Sequence, residues 1–235
     1  MPDDPLNAAN LTRETVAIEG PRGTLSGELA YGDCEDRGAI LLIGPHPYMG
    51  GTMDNNVLSV LAGVLAAAGF VTLRFNYRAL AGELIAESML SFWTTGHAPQ
   101  DMDLVEESRI ARNWLRAQLD QAVSVIGYSF GAYAASEIID DQTPAAVLIA
   151  PTVKHHELAA LRTSVVPKLV IYSSDDFATA QLATESWFAG LAVPKRKACF
   201  VGGNHFFRGE ETALAAHVRE FLENTVAVQP GVVKS

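Results

Sequence analysis

Cysteine is scarce in this chain. Cys34 and Cys199 are the two in 235 residues and show no C-x-x-C spacing. That excludes a disulfide framework, and a structural zinc site built from closely spaced thiols. Positive charge is also in short supply: 17 Lys and Arg face 27 Asp and Glu, for a net charge of −10. Apart from Lys195-Arg196-Lys197 the basic residues are scattered, which argues against nucleic acid as a partner, because neutralising phosphates needs a basic face. No apolar run reaches the roughly 18 residues of a membrane span. The opening Met1-Pro2-Asp3-Asp4-Pro5 carries acid where a secretion signal needs basic charge. What is left is the expectation of a cytoplasmic protein acting on a small-molecule substrate, as a monomer or homodimer. With 49% hydrophobic and 19% charged residues, the chain holds enough apolar material for a sizeable core.

Periodicity supplies the architecture. Residues 15–19 and 24–31 are short β-type runs joined by Gly20-Pro21-Arg22-Gly23, which reads as a hairpin. Ala39-Ile40-Leu41-Leu42-Ile43 is an unbroken apolar run, the pattern of a strand buried on both faces of a parallel sheet. Further strands are predicted over 70–75, 122–126, 145–149, 168–172 and 196–201. Helical stripes fall between them, over 57–65 (with Asp54 as N-cap and Gly69 as stop), 104–119, 132–139, 181–191 and 211–223. A hairpin followed by alternating strands and helices predicts an α/β fold: a roughly eight-stranded, mostly parallel sheet with helices on both faces. No linker or repeat splits it, so a flexible arm over 1–14, one domain over 15–224 and a flexible tail over 225–235 are expected. Residues 78–100 break the rhythm. A connection of that length is functional or disordered, and Leu80, Leu84, Ile85, Met89, Leu90, Phe92 and Trp93 are too apolar for disorder. A lid-like pocket wall is the reading.

Chemistry concentrates at the strand ends. Gly127-Tyr128-Ser129-Phe130-Gly131 fits G-x-S-x-G at the end of a buried strand, where a helix opens. There a sharp turn exposes the serine, with small residues on either side because strand and helix backbones come close. A serine needs a base, oriented by an acid, and later strands deliver both to the same sheet edge. Asp175 and Asp176 follow the strand at 168–172, and His205 follows the strand at 196–201.

These motifs, with the order Ser…Asp…His, resemble the α/β-hydrolase superfamily. The resemblance is strongest to its small, capless dienelactone-hydrolase-like and serine-esterase members. Pro45-His46-Pro47-Tyr48-Met49-Gly50-Gly51 and Leu73-Arg74-Phe75-Asn76-Tyr77-Arg78 match the His-Pro loop and the R-F-N-[FY]-R strand end of those relatives. The resemblance runs from about Thr15 to Leu222 and implies a three-layer α/β-hydrolase fold. It also implies a Ser-His-Asp triad in which Ser129 is the nucleophile, His205 the base and Asp176 the acid, with Asp175 as the competitor. The oxyanion hole is expected from the N–H of Phe130 and, since Pro45 and Pro47 have none, of Tyr48. His46, Met49, Tyr128, Phe92, Trp93 and Phe206 are the candidate substrate contacts.

No metal or organic cofactor is expected. His155 and His156 are read as surface residues, His217 as solvated, and His97 as a member of the insertion. Cys34 is read as a loop thiol. The implied activity is hydrolysis of an ester, thioester or lactone of a small hydrophobic substrate. Use of the same triad for non-hydrolytic acyl transfer, cyclisation or lyase chemistry is the alternative, and a non-catalytic ligand-binding protein a more distant one. Two departures from the relatives bear on substrate: Arg78 leads into the apolar insertion, and dienelactone hydrolases carry cysteine where this chain has Ser129.

Overall fold

The computed structural model describes residues 10–33, 37–78 and 86–226. Cys34 and the insertion's Leu80, Leu84 and Ile85 lie outside them. The strands are β1 (Leu11–Gly20), β2 (Gly23–Gly32), β3 (Ala39–Ile43), β4 (Val71–Phe75), β5 (Val123–Tyr128), β6 (Ala146–Ile149), β7 (Lys168–Ser173) and β8 (Lys195–Phe200). The helices are α1 (Asn56–Ala67), α2 (Ala86–Thr95), α3 (Asp101–Leu119), α4 (Phe130–Ile138), α5 (Gln181–Ala189) and α6 (Glu211–Thr225).

All eight strands form one sheet in the order β1-β2-β4-β3-β5-β6-β7-β8. β1 and β2 make the antiparallel hairpin, β2 runs antiparallel to β4, and every pairing from β4 to β8 is parallel. The hairpin is longer than the sequence pattern suggested. Leu11 to Glu14 pair with Leu29 to Gly32 in register and are strand, not loose arm, because the β2 ladder gives their backbone groups partners.

The unbroken apolar run of β3 has a direct cause. Leu41 and Ile43 face a core shared with α3 and α4, while Ile40 and Leu42 face a core shared with α1 and α6. Successive side chains point to opposite faces, so a strand covered on both sides must be apolar throughout. The helix α1 starts one residue later than expected. Asn55, rather than Asp54, is its N-cap and accepts from the Val57 N–H at 2.9 Å. Asp54 instead pairs with Arg74 at 3.2 Å.

Strand order locates the site. The chain leaves β3 toward β4 on one side and returns to β5 on the other, so the loops after β3 and β5 diverge. A crevice opens outside the carboxyl ends of strands at such a reversal. Those two loops carry His46 and Ser129.

Candidate active site

The turn between β5 and α4 holds Ser129 at φ 58° and ψ −120°. Left-handed backbone in a residue with a Cβ costs about 1–3 kcal/mol and persists only where its surroundings impose it. They do so here through close approach. A Cβ on Gly127 would lie 2.0 Å from the Gly131 carbonyl oxygen, and one on Gly131 would lie 2.2 Å from the Ile43 carbonyl oxygen. The Ser129 N–H donates to the Ile149 carbonyl at 2.8 Å, tying the turn to β6.

Two later strands bring their loops to this turn. His205 Nε2 lies 2.9 Å from Ser129 Oγ, and its Nδ1 lies 2.8 Å from Asp176 Oδ2. The other carboxylate oxygen, Asp176 Oδ1, accepts from the N–H groups of Ala178 at 2.7 Å and Thr179 at 3.2 Å. Of the two adjacent acids, Asp176 is buried and reaches the imidazole; Asp175 is exposed, and its backbone N–H donates to the Gly203 carbonyl. Ser129, His205 and Asp176 are all buried. With Nδ1–H donating to Asp176, Nε2 is left to accept from the Ser129 hydroxyl, so a proton leaving that hydroxyl has a positioned destination.

The loop after β3 has a different hydrogen-bond pattern from the one expected. Residues Pro47–Met49 form a 3-10 turn capped by His46, whose Nδ1 accepts from the Tyr48 N–H at 3.1 Å. The amide assigned to an oxyanion hole is therefore already engaged. The Met49 and Gly51 N–H groups donate to the His46 carbonyl, and that of Gly50 donates to the Pro47 carbonyl. With Nδ1 accepting, the His46 proton sits on Nε2, 3.2 Å from Asp101 Oδ1. Asp101, at the start of α3, thereby fixes the ring. Burial opposes ionisation of Asp101, but the His156 and His46 imidazoles and the Ala98 N–H outweigh it and hold the carboxyl well below the usual range.

A cavity of about 310 Å³ opens over Ser129, Phe130 and His205. His46, Met49, Phe92 and Trp93 line it, together with Thr94, Gly96, Thr152, His155, His156, Phe177 and Ala178. Phe92 stacks on the His46 ring at 4.3 Å, which anchors α2 over the loop after β3. Tyr128 is not a lining residue: its hydroxyl is buried beneath the site and donates to the His205 carbonyl at 2.8 Å. Burial, with Asp176 nearby, pushes its phenol up. Phe206 is also outside the lining and lies against Phe177, 5.6 Å between ring centroids.

Two histidines differ from their expected placement. His156 is buried, 6% exposed, and stacks on Tyr133 at 4.5 Å; His155 is half-buried. The segment after β6 is a turn. Its backbone folds His156 inward, where Nδ1 meets Thr152 Oγ1 at 3.0 Å. The position of this loop, after a parallel strand at the site edge, was the signal that could have found both. Phe177 could have been found too, since it directly follows the acid; it sits 5.0 Å from the His205 ring. Among the described residues, His97, Asp101 and His156 bring one potential ligand atom each within 4.8 Å of one another.

Similar architecture recurs among solved structures. A serine hydrolase without lid from Xanthomonas campestris superposes with a TM-score of 0.76 at 21% identity, over 93% of this chain and 97% of that one. A dienelactone hydrolase from Anabaena variabilis gives 0.74 at 22% identity, over 92% of this chain and 99% of that one. The chain has the α/β-hydrolase fold. No protein-family model matches the sequence. An uncharacterized protein of Rickettsia prowazekii is 22% identical over 221 residues, 88% of this chain and 87% of the relative.

Proposed function

We propose that this chain is a serine hydrolase that cleaves an ester, thioester or lactone of a small hydrophobic substrate through an acyl-enzyme on Ser129. The observation that carries the reading is the hydrogen-bonded sequence Ser129–His205–Asp176, at 2.9 and 2.8 Å, opening into an aromatic-lined cavity. The solved neighbours described as a serine hydrolase and a dienelactone hydrolase support hydrolytic chemistry in general terms.

In this reading Ser129 Oγ attacks the substrate carbonyl as its proton passes to His205 Nε2. Asp176 holds the ring by Nδ1 and stabilises the imidazolium. The tetrahedral oxyanion then collapses, and the imidazolium gives its proton to the leaving alcohol, thiol or ring oxygen. Water repeats the sequence on the acyl-enzyme, with His205 as its base, and carboxylate is released.

The oxyanion takes one donor from Phe130, the first residue of α4, whose N–H has no intrahelical carbonyl to meet. For the second donor the loop's own hydrogen bonds favour His46. The amides of Tyr48, Met49, Gly50 and Gly51 already donate within the loop, and Pro45 and Pro47 have none. Phe92, Trp93 and Thr94 supply one wall of the pocket, which supports a role for their segment as a cover over the site.

Turnover of p-nitrophenyl acetate, butyrate and octanoate tests the reading. The parent protein should hydrolyse at least one of them, preferring the longer acyl chains, and Ser129→Ala should lose about 10³-fold or more in kcat. Equal rates in parent and variant would remove Ser129 from the chemistry. Acyl transfer to an added alcohol in preference to water would shift the reading to the transferase alternative.

A further inference from the structure

The geometry points to a divalent transition-metal site, of the zinc type, formed by His97, Asp101 and His156 behind the cavity that His156 lines. His97 Nδ1 lies 3.5 Å and His156 Nε2 3.6 Å from the same carboxylate oxygen, Asp101 Oδ2. Both distances exceed a hydrogen bond to that oxygen. They are close to the separation of about 3.4 Å between neighbouring ligands in a tetrahedral zinc site with bonds near 2.1 Å. All three ligand atoms lie within 4.8 Å of one another, so a modest rotation of the half-exposed His97 ring closes the set.

A second observation comes from His156 itself. Its Nε2 is buried with no hydrogen-bond partner, while Nδ1 meets the Thr152 hydroxyl at 3.0 Å. In the tautomer whose Nδ1–H donates to Thr152, the Nε2 lone pair faces a carboxylate oxygen 3.6 Å away, and a cation bound between the two would pair both. Buried polar atoms rarely go unpaired.

The outer contacts also suit a metal. Thr152 holds the His156 ring by Nδ1, and His46 holds Asp101 by its other oxygen at 3.2 Å, the kind of support that orients metal ligands. Two imidazoles and one carboxylate favour zinc-like ions over magnesium or calcium, which prefer all-oxygen sets. Three protein ligands leave a fourth coordination position for water, and one of the three, His156, also lines the cavity. The ion would join the segment between α2 and α3 to the turn after β6, fastening the cavity wall. This site does not depend on Ser129 acting as a nucleophile.

The test is binding of Zn²⁺ and Co²⁺ to full-length protein stripped with a chelator, compared with His97→Ala and His156→Gln. The parent should take up one equivalent of Zn²⁺ by calorimetry, with a rise in Tm, and should give intense visible bands with Co²⁺. Each variant should bind about tenfold or more weakly and lose the Co²⁺ bands. No Zn²⁺ binding in the micromolar range, or undiminished binding in the variants, would overturn the site. Because His97 is half-exposed, its variant keeps the test decisive even if the His156 variant fails to fold.

Discussion

At the scale of single residues, the carboxyl that serves His205 was the open choice left by two adjacent aspartates. The hydrogen-bond geometry favours Asp176, and kcat should separate the two. Asp176→Asn should lose about 10⁴-fold by leaving the imidazole in the wrong tautomer, whereas Asp175→Asn should stay near the parent rate. The reverse order would reassign the acid. The glycines flanking Ser129 are a packing matter. Gly131→Ala would drive a methyl group to within 2.2 Å of the Ile43 carbonyl oxygen. A loss of about 3 kcal/mol or more is expected, read as a Tm drop of roughly 6–12 °C. G-x-S-x-G and the aspartate pair were legible because each lies at the end of a strand that its own apolar run announces, and His205 because it follows the next strand within a few residues. The engagement of the Tyr48 amide by His46 was not. It depends on the backbone angles of a 3-10 turn, which composition does not reveal.

At the scale of elements, α2 does most to shape the pocket. Phe92 and Trp93 on α2 line the cavity, and Phe92 stacks on His46. Phe92→Ala should raise KM for longer acyl esters by roughly tenfold, from lost apolar contact, with a smaller change in kcat. A fall in kcat alone would instead make Phe92 a support for the loop after β3.

On its far side α3 carries Arg112, whose guanidinium donates to both carboxylate oxygens of Asp140 at 3.0 and 2.8 Å. That hydrogen bonding, opposed by partial burial, lowers the Asp140 carboxyl. A depressed folded-state pKa stabilises the protein above the ordinary carboxylate range and ceases to do so as pH falls through the folded value. Asp140→Asn should therefore cost less than about 1 kcal/mol at pH 7, read as a slightly lower Tm, because the carboxylate is half-exposed even though Arg112 is buried. The difference should vanish in acid; a gap that persisted or widened there would contradict the assignment.

Helix and strand positions were readable from periodicity. The arrangement of His97, Asp101 and His156 was not, because it needs the loop after β6 to fold against the start of α3, a meeting of segments about 55 residues apart in sequence. The burial of His156 was missed for the same reason.

At the scale of the whole molecule, the basic run Lys195-Arg196-Lys197 finds a place. It forms β8, the outer strand of the sheet, where exposed charge discourages edge-to-edge pairing. Lys195 Nζ also donates to the carbonyls of Phe188, Ala189 and Leu191 at the end of α5, at 2.8 to 2.9 Å. The one cluster of positive charge is thus structural. Among the described residues no helix is long and apolar enough to cross a membrane. Fold class was legible because a two-faced parallel sheet forces continuous apolar strands, and strand order then fixes where the loops after β3 and β5 part. Substrate identity was not, since it depends on the shape of a cavity assembled from six separate segments.

The central claim is that Ser129 is an activated nucleophile in this cavity. Its most direct measurement is covalent labelling by a fluorophosphonate probe at neutral pH, located by mass spectrometry of the digested protein. One probe per chain, on Ser129, with labelling abolished in Ser129→Ala and strongly slowed in His205→Ala, is the predicted result. A parent protein that stays unlabelled, or carries the probe on another residue, would contradict it.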